Sequence, residues 1–259
     1  NHILTFGNGY YIILLIMKKI LTLVTHDEAE TADAAAPEQV EIIGTGKGKN
    51  LYESIKQAKG RYTALTDCDT ECELCDGLFG ALGGENADLV LFNEGYCFKT
   101  SVLKGVAGKN CTDKFRAEIY AAFACKSVAR LDFKPFSFIG RADGYTQEDD
   151  AALYEVLDEF AKIKAKLGKD VYSFAFELIS DKIINYYSGA LIAIYCGALG
   201  AEKLAEFDGK LKENVVLYLA VEKRLLNKGI KLKNIRKNNY KISFLTANKL
   251  KKRAAKKHK

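Results

Sequence analysis

Lys59-Gly60-Arg61-Tyr62-Thr63-Ala64-Leu65-Thr66-Asp67-Cys68-Asp69-Thr70-Glu71 passes from a polar turn through a short apolar run into a group of acids. Its middle, Arg61 to Thr66, mixes apolar and β-branched residues and is bounded by Gly60, so it reads as a buried strand. Asp67 and Asp69 follow at once, two residues apart. Where a strand stops and the chain turns, both carboxylates can reach one point in space. Such a pair at the carboxyl edge of a strand suits a hard divalent cation carrying a phosphorylated ligand. A bare Asp-x-Asp is common in solvated turns, so its neighbours decide its value.

Short strands and helices alternate around this run. Upstream, Lys19 to Thr25 reads as a first strand and Gln39 to Ile43 as a second. Between them Asp27 to Ala36 reads as a short acidic, alanine-rich helix ended by Pro37. The glycine-rich turn Gly44-Thr45-Gly46-Lys47-Gly48 leads to a helix over Asn50 to Ala58, with Leu51, Ile55 and Ala58 on one face. Downstream, Glu73 to Leu82 is expected to be helical, and Ala87 to Asn93 and Tyr96 to Ser101 to be strands. Asp113 to Arg130 carries apolar residues at helical spacing, and Phe133 to Ile139, with Pro135, reads as an edge strand. The alternation predicts an α/β fold, a mostly parallel, Rossmann-like sheet with covering helices. Ligands on such sheets sit beyond the carboxyl ends of the strands, where Asp67 and Asp69 fall.

From Thr146 the strand signals nearly vanish. Glu148 to Leu167, Tyr172 to Gly197, Ala201 to Leu226 and Ser243 to Ala255 are helical in pattern. The expected organisation is an upstream extension over 1–16, an α/β domain over 17–145 and an all-α extension with a basic tail over 146–259. Met17, the only methionine, precedes Lys18-Lys19 and looks like a natural start. The apolar run Tyr10 to Ile16 is too short to span a bilayer and in the wrong order for a signal peptide. Ile183 to Leu199 is the most apolar stretch elsewhere, but Asn185, Ser188 and its glycines favour a buried helix. The Tyr and Phe residues of Tyr172 to Tyr195 recur on a helical face, as core residues do.

A chain of 259 residues, 48% hydrophobic and 28% charged, is globular and large enough for one big domain or two small ones. Seven cysteines without regular pairing are not a secreted disulfide framework. They fit a reducing compartment, and the expected location is cytoplasmic. The net charge of +6 hides an asymmetry. Lys223 to Lys259 holds fifteen of the 39 basic residues and no acid, so 24 remain elsewhere against 33 acidic ones, a net of −9. An acidic body with a basic tail seeks phosphate, on lipid headgroups or nucleic acid.

The helix, turn and strand from Ile55-Lys56-Gln57-Ala58-Lys59-Gly60-Arg61-Tyr62 through Thr66-Asp67-Cys68-Asp69 resemble the family 2 glycosyltransferases, nucleotide-sugar enzymes of the A-type fold. There the phrase is a helix ending in Ala-Lys-Gly, a strand, then Asp-x-Asp-Asp. Gly95-Tyr96-Cys97-Phe98-Lys99-Thr100-Ser101-Val102-Leu103 looks like that family's glycine-aromatic-basic strand on the acceptor side. Thr112-Asp113 precedes Ala129, Leu131 and Lys134-Pro135-Phe136-Ser137-Phe138. This is similar to the family's Glu-Asp pair opening a helix, then a strand ending in Pro-Leu-Tyr-x-Tyr. The helical extension is similar to those of small bacterial members that decorate cell-surface polysaccharide.

The resemblance implies metal-dependent, inverting transfer of a sugar from a nucleotide-diphosphate donor to a hydroxyl acceptor, in cell-surface polysaccharide or glycolipid synthesis. It implies that Asp67 and Asp69 hold Mn²⁺ or Mg²⁺ against the donor diphosphate and that Asp113 is the general base. Lys99 and Arg141 would lie near the phosphates. The partners implied are a nucleotide sugar and a saccharide or lipid-linked acceptor. The chain also departs from the family. Gly44-Thr45-Gly46 stands where an Asp pair reads uracil and ribose, and Thr25-His26-Asp27-Glu28 replaces a Pro-x-Tyr-Asn-like turn. The first strand-to-strand connection is short for the family, and Thr112 replaces the expected Glu. Either Asp27 or Glu28 substitutes in reading the nucleotide, or the chain is an inactive relative that binds or scaffolds.

Other signals compete. Cys68-x-x-x-Cys72-x-x-Cys75 has the spacing of the radical S-adenosylmethionine cluster motif, and Gly83-Gly84-Glu85 echoes a second part of it. Two strand-helix units precede the cysteines, however, where that motif closes the first strand of a barrel. Asp67, Asp69, Glu71 and Glu73 also oppose thiolate formation. Gly44 to Lys49 lacks the spacing of a Walker loop and reads as a solvated turn, although its amides and lysines can touch a diphosphate. His26 follows a strand and is left unassigned. The basic tail is either a solvated end or a means of holding the enzyme peripherally at the inner face of an anionic membrane. Nucleic acid is not the expected partner, since no aromatic residues interleave with the basic ones of Lys249 to Lys259.

Overall fold

In the computed structural model the alternation of apolar runs becomes one six-stranded sheet and two small ladders. Residues 2–6, 10–14, 19–25, 39–44, 51–65, 73–74, 77–93, 95–108, 113–133, 136–137, 148–195 and 197–232 are described. The chain divides into two units, Asn1–Gly140 and Arg141–Lys259. The strands of the first are β1 (His2–Phe6), β2 (Tyr10–Leu14), β3 (Leu21–Thr25), β4 (Val40–Gly44), β5 (Tyr62–Leu65), β6 (Glu73–Leu74), β7 (Leu89–Leu91), β8 (Tyr96–Lys99), β9 (Val128–Arg130) and β10 (Phe136–Ser137). Its helices are α1 (Leu51–Gln57), α2 (Leu78–Gly84), α3 (Thr100–Val106) and α4 (Lys114–Ala124).

The large sheet runs β4-β3-β5-β8-β7-β9. β3 pairs in parallel with β4 and β5, and β7 with β9, while β8 runs antiparallel to both β5 and β7. The sheet is therefore mostly parallel, as expected. It is open, with β4 and β9 at its edges, and is not the barrel that a radical S-adenosylmethionine reading requires.

Side chains alternate between its faces. Leu21, Leu23, Tyr62, Ala64, Val90 and Cys97 form one core with Leu78 and Leu82 of α2. Thr63, out of phase with these, bonds Thr100 of α3, and α3 lies against α1 and α4 on that second face.

The Lys59-Gly60 turn is fastened on both sides. The Gly60 N–H donates to Thr22 Oγ1 (2.8 Å), and Glu41 Oε2 accepts from both Thr22 Oγ1 (2.8 Å) and the Lys59 N–H (2.6 Å). Thr100 Oγ1 donates to the Gly60 carbonyl at 2.6 Å. Its single proton is then used, so the 2.8 Å bond between Thr63 and Thr100 has Thr63 as donor. A Cβ on Gly60 would meet Thr22 N at 2.6 Å and the Leu21 carbonyl carbon at 2.7 Å. The glycine of the Ala-Lys-Gly phrase is there because β3 backbone passes too close for any side chain.

Several boundaries differ from expectation. Glu73 to Leu82 is not one helix: Glu73 and Leu74 pair with Ser137 and Phe136, and α2 starts only after Gly77. Gly77 has φ 87°, which a right-handed helix cannot contain. The strand from Tyr96 stops at Lys99, because Thr100 turns inward to Gly60 and opens α3. The helical pattern of Asp113 to Arg130 breaks at Cys125, whose backbone is extended, and Val128–Arg130 joins the sheet beside β7. Of the described residues in the expected edge strand Phe133 to Ile139, Phe136 and Ser137 form the strand, and they pair with β6 rather than with the large sheet. The helices expected over Asp27 to Ala36 and Ser243 to Ala255 lie outside the described residues.

The second unit is helical: α5 (Glu148–Ile163), a short 3-10 turn (Lys164–Lys166), α6 (Lys169–Tyr195), α7 (Ala201–Lys212) and α8 (Val215–Asn227). Its core is largely aliphatic with an aromatic cluster inside it. Phe207 packs on Tyr186, Tyr187 and Tyr154 with ring centroids 4.5, 5.7 and 5.5 Å away, and Phe160 stacks on Tyr172 at 5.7 Å. On the aromatic face expected to be core, Tyr186 and Tyr187 are buried, while Tyr172, Phe174 and Phe176 are half-buried. The one buried acid here, Asp208, accepts from the Tyr187 hydroxyl (3.1 Å) and pairs with Lys212 (3.0 Å) among the described residues. Ala201 to Leu226 is two helices rather than one. Asn214, a residue that favours helix starts over interiors, takes a non-helical φ of −108° and ψ of 78° and begins α8.

Candidate functional site

Parallel strands collect their carboxyl ends at one edge of the sheet, so topology says where a ligand belongs. After β3 the chain crosses to β4 on one side, then returns to β5 on the other. This reversal of strand order beside β3 is a topological switch point, and open α/β sheets bind ligands beyond the carboxyl ends of the strands at such a point. Asp67 and Asp69 stand two and four residues beyond the end of β5 in sequence. They lie outside the described residues, as do His26, Asp27, Glu28, Arg141 and Cys68, Cys72 and Cys75.

The same edge receives the turn between β7 and β8. Phe92 N–H donates to the Gly95 carbonyl at 3.1 Å, and Gly95 has φ 103°, a conformation that favours glycine. Beside it Asn93 Nδ2 donates to Asp132 Oδ1 (2.9 Å), and the Phe92 and Phe133 rings meet edge-on at 5.5 Å. These bonds tie together the exits of β7 and β9. Sequence analysis singled out neither Asn93 nor Asp132. The available signal was that each stands two residues after a strand.

Asp113 is the N-cap of α4. Its Oδ1 accepts from the Arg116 N–H and its Oδ2 from Arg116 Nη1, both at 2.9 Å. The side chain keeps 38% exposure while Arg116 keeps 13%. A carboxylate at a helix N-terminus is favoured by the helix dipole, and the guanidinium fixes its orientation. The expected opening of a helix by this residue is what the structure shows. Glu118, further along α4, is buried with Lys114 Nζ at 3.9 Å.

Lys99 is not brought to this edge. It pairs in register with Tyr62, the first residue of β5, and its Nζ donates to Asn86 Oδ1 at 2.9 Å. The length of β5, roughly 10 Å at ~3.3 Å per residue, separates it from the carboxyl end. The reason is that β8 runs antiparallel, so its last residue lies where its neighbours begin. Lys99 therefore stands at the end of β5 opposite the one that Asp67 and Asp69 follow in sequence.

Among the described residues no three His, Cys, Asp or Glu side chains converge on one point. Cys97 and Cys125 are free, buried thiols. Burial pushes both up, Cys125 to about 12, so neither is a thiolate nucleophile at neutral pH.

No known family's sequence profile matches this chain, and no curated protein does. Among solved structures it is similar to S. aureus TarS, at 10% identity and a TM-score of 0.44, covering 89% of this chain and 55% of that one. This chain thus spans about half the length of that protein. A likeness this loose carries no conclusion about chemistry.

Proposed function

We propose that the α/β part of the chain, residues 17–145, transfers a sugar from a nucleotide-diphosphate donor to a hydroxyl acceptor with inversion. The observation that carries this reading is the position of β5. It is an inner strand beside the switch point, and Asp67-Cys68-Asp69 follows its carboxyl end. Two carboxylates are a donor set for a hard divalent cation, Mn²⁺ or Mg²⁺. Such an ion would supply positive charge beside the departing diphosphate. Asp113 takes the acceptor proton. An ionised carboxylate offers about four acceptor positions, and the two Arg116 bonds leave capacity for a hydroxyl. The acceptor oxygen bonds to the anomeric carbon on the face opposite the diphosphate. The carbon–diphosphate bond breaks with its electron pair, and the proton goes to Asp113. Arg141 is kept as a phosphate contact on the sequence resemblance alone. The acceptor is a saccharide or lipid-linked hydroxyl of cell-surface polysaccharide or glycolipid synthesis, reached from the cytoplasm.

A thermal-shift screen of nucleotide sugars and nucleoside diphosphates, with and without Mn²⁺, tests the reading. Saturating donor at ~100 times its Kd stabilises by about 2.7 kcal/mol. The rise should require Mn²⁺ and vanish in Asp67→Asn/Asp69→Asn, whose unliganded melting is unchanged. No Mn²⁺-dependent rise with any nucleotide favours the second reading, an inactive relative that binds or scaffolds. The specific observation behind that alternative is Gly44-Thr45-Gly46, which puts no carboxylate at the carboxyl end of β4. A colourless, iron-free sample purified without oxygen disposes of a cluster on Cys68, Cys72 and Cys75.

A further inference from the structure

The last described helix presents a face that its own unit does not use. On α8, Leu217, Tyr218, Val221 and Leu225 are buried, whereas Val215, Val216, Leu219 and Leu226 are 52–63% exposed. At ~100° per residue the four exposed side chains fall within about 100° of the helix circumference, roughly opposite the buried four. They form one aliphatic stripe, with exposed Lys223 inside it. Glu222, the one acid of α8, accepts from the Tyr218 hydroxyl at 3.2 Å. Beyond α8 the chain stays free of acids, with fifteen Lys and Arg between Lys223 and Lys259.

We propose that this face of α8 docks on an anionic lipid surface. The stripe enters the headgroup boundary, and the basic residues from Lys223 onward meet the lipid phosphates, apart from Arg224, which pairs with Glu177 and Asp181. An apolar stripe combined with a cationic excess is the composition of a helix that lies in an interface. Among the described residues no helix is long and apolar enough to cross a membrane. Charge argues against two other occupants. A second copy seated face to face would bring two acid-free basic stretches together, and like charges repel. Nucleic acid would engage the cations and leave the stripe idle, since stacking on bases needs aromatic side chains and the stripe has none. This inference adds a membrane-docking surface and does not depend on the sugar-transfer reading.

Co-sedimentation of the full chain tests it, with vesicles of phosphatidylcholine alone and of phosphatidylcholine mixed with phosphatidylglycerol. Binding is expected to the mixed vesicles only. Leu219→Glu/Leu226→Glu should weaken it at least ~10-fold with thermal melting unchanged, because both side chains are already exposed, and Leu219→Ser/Leu226→Ser should weaken it less. Absence of wild-type binding to the mixed vesicles overturns the proposal. Equal binding by wild type and the Glu variant also overturns it, by leaving the basic stretch as the sole contact. Loss of self-association in the variant, with vesicle binding intact, gives the face to a second copy. Tighter binding to duplex DNA than to vesicles, insensitive to the variant, gives the surface to nucleic acid.

Discussion

The two ends of β5 are built for different purposes. At its start, Gly60 is wedged against β3 backbone, and a chain of bonds through Thr22, Glu41, Thr100 and Thr63 closes every side. Lys99 and Arg61 are held there as well, on Asn86 Oδ1 (2.9 Å) and on the Gly83 carbonyl (2.8 Å). Its far end lies beside the switch point, and Thr66-Asp67-Cys68-Asp69 follow it in sequence. Buried and fully bonded groups make the first end rigid, and a rigid strand is what holds a carboxylate pair at a fixed place. The contrast teaches that the motif phrase has a structural half and a chemical half. Its glycine belongs to packing, and its acids are the proposed cation ligands.

Variants can break that division. The largest effect is expected from Asp113→Asn, which keeps an oxygen to cap α4 and removes the base. Transfer activity should fall by ~10²–10⁴ while stability stays within about 1 kcal/mol, read by initial rates and a denaturant melt. Unchanged rates remove Asp113 from the chemistry and leave it a cap. Next, Gly60→Ala forces a Cβ into Leu21 and Thr22 backbone, so a loss of about 3 kcal/mol is expected, seen as a lower denaturant midpoint. If the midpoint does not move, the wedge is not tight.

Thr100→Val leaves the Gly60 carbonyl and the Thr63 hydroxyl without their partner, a loss of about 2 kcal/mol. Mn²⁺-dependent ligand response should persist in the protein that remains folded. A lost response with intact stability would couple the two ends of β5. The smallest effect belongs to Lys99→Ala. Its bonds are exposed, so stability and donor affinity should each change by less than about 0.5 kcal/mol. A weakened donor would return Lys99 to the site.

The sequence was most legible where local pattern and tertiary need coincide. Leu21–Thr25, Val40–Gly44 and Tyr62–Leu65 are short apolar runs bounded by turn residues, and each became a strand. It was least legible where a distant contact overrides the pattern. Thr100 continues a strand-like run, yet its bond to Gly60, 40 residues away, starts a helix. Val128 fits the helical spacing of the preceding segment but is drawn into the sheet by pairing with Leu89. Within the second unit, apolar spacing runs on through Asn214, and the backbone turns there all the same.

Composition and spacing by themselves determined the α/β class, the helical character of the second unit, the acid-free basic stretch and the carboxylate pair after β5. These are properties of residues and their near neighbours, set by side-chain period, charge and backbone preference. Only the tertiary structure decided that β8 runs antiparallel and sets Lys99 beside the start of β5, that Gly60 is a packing glycine, and that one side of α8 is exposed. Each of those depends on which strand or helix lies alongside, a matter of long-range pairing that no local window of sequence contains.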